Sequence, residues 1–141
     1  MKQHLHLFVI KGDIFMPAWD EYKAIARERG ALAFELYVIE TTPFATAAEL
    51  QEILPAHIAY QQKLESEGKI FMAGPTSDAT GKMMQGSGMI IYRAKSLKEA
   101  REWADGDPMH SQNLRSYTLR KWLVNECNPA IISGIREIRE E

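Results

Sequence analysis

Lys69-Ile-Phe-Met-Ala73, running into Gly74-Pro75, and Gly88-Met-Ile-Ile-Tyr-Arg93 are the stretches that decide the fold. Both are short and apolar, and the polar segment between them carries Ser77, Asp78, Gly81 and Gly86, so they read as two strands of a hairpin. Upstream, Thr46 to Glu67 sets Leu50, Leu54, His57, Gln61 and Leu64 at steps of four and three, and Gly68 stands where such a helix would end. Downstream, Ser96-Leu-Lys-Glu99 has the spacing of a capping box, with Ser96 expected to cap a helix reaching Gly106 and Glu99 to reach back to the Ser96 amide. That helix would carry Leu97, Ala100, Trp103 and Ala104 on one face. Strands flank the set: Ala31 to Glu40, closed by Thr41-Thr42-Pro43, and Ser116 to Asn125. The order strand, helix, strand, strand, helix, strand predicts an α+β, ferredoxin-like βαββαβ domain with two helices on one face of an antiparallel sheet.

Pro55 interrupts the first core helix, either kinking it or starting a second helix at its first turn. Both alternating sets of each strand are apolar, for example Leu36 and Val38 against Tyr37 and Ile39, whereas two helices cover only one face. A two-fold partner would bury the other face, which predicts a homodimer through the sheet; the alternative is that the N-terminal segment folds over it. Residues 1–30 read as an extension, with a strand at His4 to Ile10 and a helix at Pro17 to Arg29 ended by Gly30. The core domain is expected over 31–126, and 127–141 as a tail in which Ala130 to Glu141 forms a helix or frays.

A chain of 141 residues with 45% hydrophobic and 26% charged side chains matches a single globular domain. Seventeen basic and 19 acidic residues leave a net charge of -2, so no global positive field draws in nucleic acid or an anionic membrane. No stretch approaches the ~18 apolar residues of a membrane span, and the run Leu5 to Ile10 is broken by His6 and lacks a signal-peptide cleavage site. One cysteine, Cys127, makes neither an internal disulfide nor a CxxC motif. A cytoplasmic location follows as the expectation.

No phosphate loop, GxGxxG, HExxH or nucleophile elbow is present, so any chemistry rests on scattered polar residues. His57 occupies a position in the helical stripe where a leucine-like residue is expected, and is either a core histidine satisfied by one partner or a base. Asp107-Pro-Met-His110 brings a carboxylate and an imidazole to the end of the second helix. An Asp beside His57 would fix its tautomer and stabilise its protonated form; the plain alternatives are a turn aspartate and a surface helix-end histidine. His57, Asp107 and His110 form a two-His-one-carboxylate set on paper, and His4 and His6 alternate on an extended segment, but neither spacing supports a metal and none is expected. Gly74, Pro75 and Ser77 are candidate substrate contacts in the hairpin loop, and Arg120, with Arg93 on a neighbouring strand, either binds an anion or pairs with acidic groups.

Taken together, Pro55-Ala-His57 with Tyr60, Leu64 and Gly68, Ala73-Gly74-Pro75, Ser96-Leu with Glu99-Ala100, Asp107-Pro-Met-His110, and Leu119 to Asn125 resemble the YCII-related family. The resemblance implies a ferredoxin-like protomer in a dimeric α+β barrel, similar to muconolactone isomerase, with a His-Asp dyad that falls here on His57 and Asp107. It also implies that one class of relatives removes chloride from chlorinated hydroxyquinols. The functional expectation is a cofactor-free lyase or isomerase acting on a small cyclic or aromatic-derived metabolite. His57 would move a proton, Asp107 would orient its ring, and Gly74 or His110 would meet the developing oxyanion. The rival expectation is a non-catalytic module whose pocket holds a small ligand; a haem or oxygen-using monooxygenase on the same architecture has only fold analogy behind it.

Overall fold

The computed structural model describes residues 9–10, 13–14 and 16–131. Two compact units are present, residues 35–122 and a second made of 1–34 with 123–141. In the second unit, β1 (Val9–Ile10) pairs antiparallel with β2 (Asp13–Ile14), and α1 follows as Trp19–Glu28. Asp20 and Glu21 in its first turn and Arg27 in its last complement the helix dipole, and Gly30 turns the chain at φ 87°. The Leu32 amide donates to the Asn125 carbonyl at 3.0 Å, and the Asn125 side chain donates to the Tyr22 hydroxyl at 3.1 Å. His4, His6 and the terminal helix expected past Ile131 lie outside the described residues.

The larger unit continues with β3 (Phe34–Pro43), α2 (Ala47–Ser66), β4 (Ile70–Ser77), β5 (Met84–Tyr92), α3 (Leu97–Gly106), the short α4 (Pro108–Ser111) and β6 (Arg115–Val124). The strands lie in the order β4-β5-β3-β6, with β5 antiparallel to both β4 and β3. Leu114 accepts from Phe44 just past the end of β3, which sets the start of β6 beside the end of β3 and makes that pair antiparallel as well. This is the ferredoxin-like order expected from the sequence.

Local chemistry explains the boundaries. Thr46 caps α2 with a full capping box, its hydroxyl accepting from Glu49 N while Glu49 accepts from Thr46 N. The helix runs unbroken through Pro55, which neither ends it nor starts another; this turn is exposed, so the carbonyl that Pro55 leaves without its donor can face water. The inward stripe passes through the half-buried Ile53, His57 and Tyr60 to the buried Leu64, and Leu54 points outward. At the other end Gly68 takes φ 71°, and the Lys69 amide bonds back to Leu64. Ser96 caps α3 as expected, but Glu99 accepts from the Lys95 amide rather than that of Ser96, and Leu97 is exposed.

β3 and β4 begin and end later than the sequence suggests, and β5 and β6 begin and end earlier. Ala33 adopts φ 47°, which delays β3, and the strand then runs on through Thr41-Thr42. β4 continues through Gly74-Pro75, and since it is an edge strand the missing proline amide costs no ladder bond.

Across the helix-facing side of the sheet, register produces three rows. Ile70, Tyr92 and Tyr37 form the first, Ala73, Ile90 and Ile39 the second, and Pro75, Gly88 and Thr41 the third. The first two rows pack against Leu64, Ala100 and Ala104, with Trp103 meeting Tyr92 edge-on at 5.6 Å. The third row has no large side chain to contribute. On the opposite face Leu36 and Ile91 are buried, while Met72 and Trp122 are about half exposed (51% and 46%). Among the described residues no helix is long and apolar enough to cross a membrane.

Candidate active site

The small residues of the third row leave a cleft of about 670 Å³ in the larger unit. Its floor includes Thr41, Pro75 and Gly88, and its wall is built by His57, Gln61 and Glu65, one face of α2 at successive turns. Arg115, the first residue of β6, closes one side.

His57 is held from behind. Its Nδ1 lies 2.9 and 2.8 Å from the two oxygens of Asp107, whose side chain has no exposure to solvent, whereas 25% of the His57 side chain is exposed. Asp107 ends α3 and caps α4, accepting from the Met109 amide at 2.9 Å and from the Gln61 amide group at 3.1 Å. Pro108 at the first position of α4 favours this geometry, since the residue before proline avoids the α region and is left extended for capping. Burial alone would raise the Asp107 carboxyl, but the bonds from His57 and the Met109 amide hold it below the usual carboxylate range. An anionic Asp107 accepts a hydrogen bond from Nδ1–H, which leaves the lone pair on Nε2, and that atom has no hydrogen-bond partner among the described residues.

The approach of α2 to the end of α3 that this pair needs depends on one glycine. A Cβ on Gly106 would meet the Tyr60 hydroxyl at 2.5 Å, and that hydroxyl is fixed by donating to the Trp103 carbonyl at 2.7 Å.

His110 is a different case from the surface residue it resembles in the sequence. It is buried, its Nδ1 donates to the Ala104 carbonyl at 2.7 Å, and its Nε2 accepts from the Thr41 hydroxyl at 2.8 Å. Burial holds its imidazole below the ordinary histidine range, with the Arg115 charge adding to the shift and the Ala104 carbonyl and Asp107 opposing it. Both nitrogens are thus spent on protein groups. No cluster of three metal-binding side chains occurs among the described residues.

Gly74 and Pro75 line the cleft. Ser77 does not, its hydroxyl donating to the Asp78 carbonyl. Arg120 also lies elsewhere, 68% exposed and paired with Glu40 at 3.0 Å. It has the opposite strand parity to Arg115, so only Arg115 faces the helices and the cleft. Thr41, Gln61 and Arg115 are among the cleft residues to which the sequence assigned no functional role.

The chain's likenesses fall on the unit that holds the cleft. Residues 35–123 match the model of the YCII-related domain. The chain is 33% identical over 76 residues to the uncharacterized protein YjpA of Bacillus subtilis, a span of 54% of this chain and 82% of that protein. It is 37% identical over 79 residues to the protein YciI of Escherichia coli O6:H1, covering 52% of this chain and 80% of that one. Among solved structures it is similar to 5-chloro-2-hydroxyhydroquinone dehydrochlorinase (TftG) from Burkholderia phenoliruptrix AC1100, bound to 2,5-dihydroxybenzoquinone. That likeness has a TM-score of 0.51 and 27% identity, and covers 62% of this chain and 92% of that one. With the match spanning the whole unit that holds the cleft, this chain belongs to the YCII-related family.

Proposed function

We propose that the cleft is the active site of a cofactor-free lyase or isomerase for a small cyclic or aromatic-derived metabolite, with His57 as the base. The carrying observation is the orientation of one imidazole, Nδ1 fixed on a buried carboxylate and Nε2 left without a partner at a cleft large enough for a small ring. In this reading Nε2 takes a proton from an acidic position of the substrate, and Asp107 stabilises the imidazolium that forms. The electron pair left behind forms a double bond and expels a leaving group such as chloride, or else takes the proton back at another carbon. The dehydrochlorinase activity of a structural neighbour supports the elimination branch.

Proton NMR in deuterated water with lactones, enones and chlorinated hydroxyquinols tests this. Exchange or turnover is expected in the wild type and should fall about 10²–10⁴-fold in His57→Ala; a true substrate turned over equally by that variant would refute the assignment.

A second reading rests on the same carboxylate. Asp107 also caps α4 and ties it to α2 through His57 and Gln61, as expected of a non-catalytic binding module in which the pair is purely structural. It predicts that Asp107→Asn changes stability while no compound in the panel reacts.

The half-exposed Met72 and Trp122 on the other sheet face support a homodimer, and the single Cys127 fits a reducing, cytoplasmic setting. Sedimentation of Trp122→Glu should show a shift toward monomer; an unchanged dimer would place the interface elsewhere, and a monomeric wild type would remove it.

A further inference from the structure

Arg115 lines the cleft and makes no ion pair among the described residues. Its Nε donates to the Thr41 hydroxyl at 3.0 Å, and one terminal nitrogen, Nη2, donates to the carbonyls of Thr41, at 3.2 Å, and of Gly86. These bonds fix the guanidinium plane and use one edge of it. The other terminal nitrogen, Nη1, has no hydrogen-bond partner among the described residues, and it is not one of the enclosed polar atoms left without a partner. It is therefore accessible to solvent, on a residue that lines the cleft.

The protein supplies Arg115 with no contact ion pair; the Asp107 charge acts on it only from beyond that distance. No carboxylate among the described residues lies within ion-pair distance of Arg115. Asp107 is occupied by His57, Gln61 and the Met109 amide, and Glu65, the acidic residue on the cleft wall, is exposed on α2. The Thr41 hydroxyl donates to His110, so it meets Arg115 only with a lone pair, and His110 in this bonding pattern is the neutral tautomer. A partly buried cation with a fixed, unspent donor pair is costly alone and becomes favourable when an anion docks on it.

We propose that Arg115 is an anion-binding residue of the cleft, and that the ligand presents a carboxylate or an ionised enol or phenol oxygen to Nη1. The inference rests on the cleft being a small-molecule site, but not on His57 acting as a base. It adds a constraint on the substrate class: a ring bearing one acidic oxygen, bound in its ionised form, with the position to be deprotonated turned toward His57.

The test is a titration of ¹⁵N-labelled protein with benzoate and with benzamide, two rings of the same size that differ in charge. Benzoate is expected to give saturable millimolar shifts at the Arg115 Nε–H and at the Thr41 and Gly86 amides, weakening with added salt, and benzamide to bind at least about tenfold more weakly. Arg115→Gln should lose benzoate affinity about 10- to 100-fold, the effect of one or two charged hydrogen bonds. Arg120→Gln, outside the cleft, should keep it, and because the readout is binding and not turnover, failure of the proton-transfer reading leaves this result intact. Equal binding of the two probes, or no saturable shift with benzoate, would overturn the proposal. So would benzoate binding undiminished in Arg115→Gln; if that variant fails to fold, the wild-type comparison of the probes still decides.

Discussion

The two ends of the helix-facing side of the sheet are built to opposite rules. At one end Tyr37, Ile39, Ile90 and Tyr92 meet Leu64, Ala100 and Ala104, and the space between sheet and helices is filled. At the other, Thr41, Gly88 and Pro75 leave it open, and polar groups gather there: His57, Gln61 and Arg115 on the cleft, with Asp107 and His110 bonded behind them. The first end derives stability from apolar contact, the second from hydrogen bonds among groups that are costly to leave unpaired. Substitutions at the two ends should therefore fail in different ways.

The sharpest break is Asp107→Ala, which strips the partner from His57, Gln61 and the Met109 amide together. It should cost about 3–5 kcal/mol in urea unfolding, as loss of one member of a buried pair does, and should abolish proton transfer in the variant that still folds. Ile39→Ala at the filled end should cost a comparable but slightly smaller 2–5 kcal/mol, about that of other buried Ile→Ala changes, while leaving the chemistry of the folded protein near wild type. If Ile39→Ala impaired the reaction as strongly as Asp107→Ala, the division between the ends would be lost.

Gly106→Ala probes the hinge between them. Tyr60 is a stiff ring held by the Trp103 carbonyl, so the added methyl group must push α2 away from the end of α3. About 1–3 kcal/mol of overpacking is expected, with a reduced reaction rate because the His57 to Asp107 contact lengthens. Stability unaffected in the same unfolding assay would mean that Tyr60 yields without moving the helix.

The smallest effect is in pH dependence. The His110 value is lowered on folding, so as pH falls the unfolded chain binds that proton first. The His110 contribution is fully present above the ordinary imidazole range, near ~6.5, and is lost as pH falls through its folded-state value. Asp107 is lowered too, so its contribution is present above the ordinary carboxylate range, near ~3.9, and is lost below that. Stability against pH should show both losses, and His110→Gln should remove the upper one alone. A profile identical to wild type would show that His110 titrates normally.

The element order was readable because it rests on local signals, a helical stripe, a capping serine and an aspartate before proline, whereas the meeting of His57 with Asp107, 50 residues apart, was expected only from the family resemblance. Thr41 and Arg115 were not readable, because each lies one residue outside the strand limits expected from propensity. Their signal was parity: Thr41 continues Tyr37 and Ile39, and Arg115 precedes Tyr117 and Leu119 at steps of two, whereas Arg120 falls out of step. The burial of His110 had no such signal, since it depends on a hydroxyl 69 residues away.

The central claim is the orientation of the His57 imidazole, and long-range ¹H–¹⁵N correlation of the histidine side chains reads it directly. In the neutral ring the account predicts a proton on Nδ1, shared with Asp107, and a bare Nε2 facing the cleft. A proton on Nε2 in the neutral ring would contradict it, because the atom meant to accept the substrate proton would already carry one.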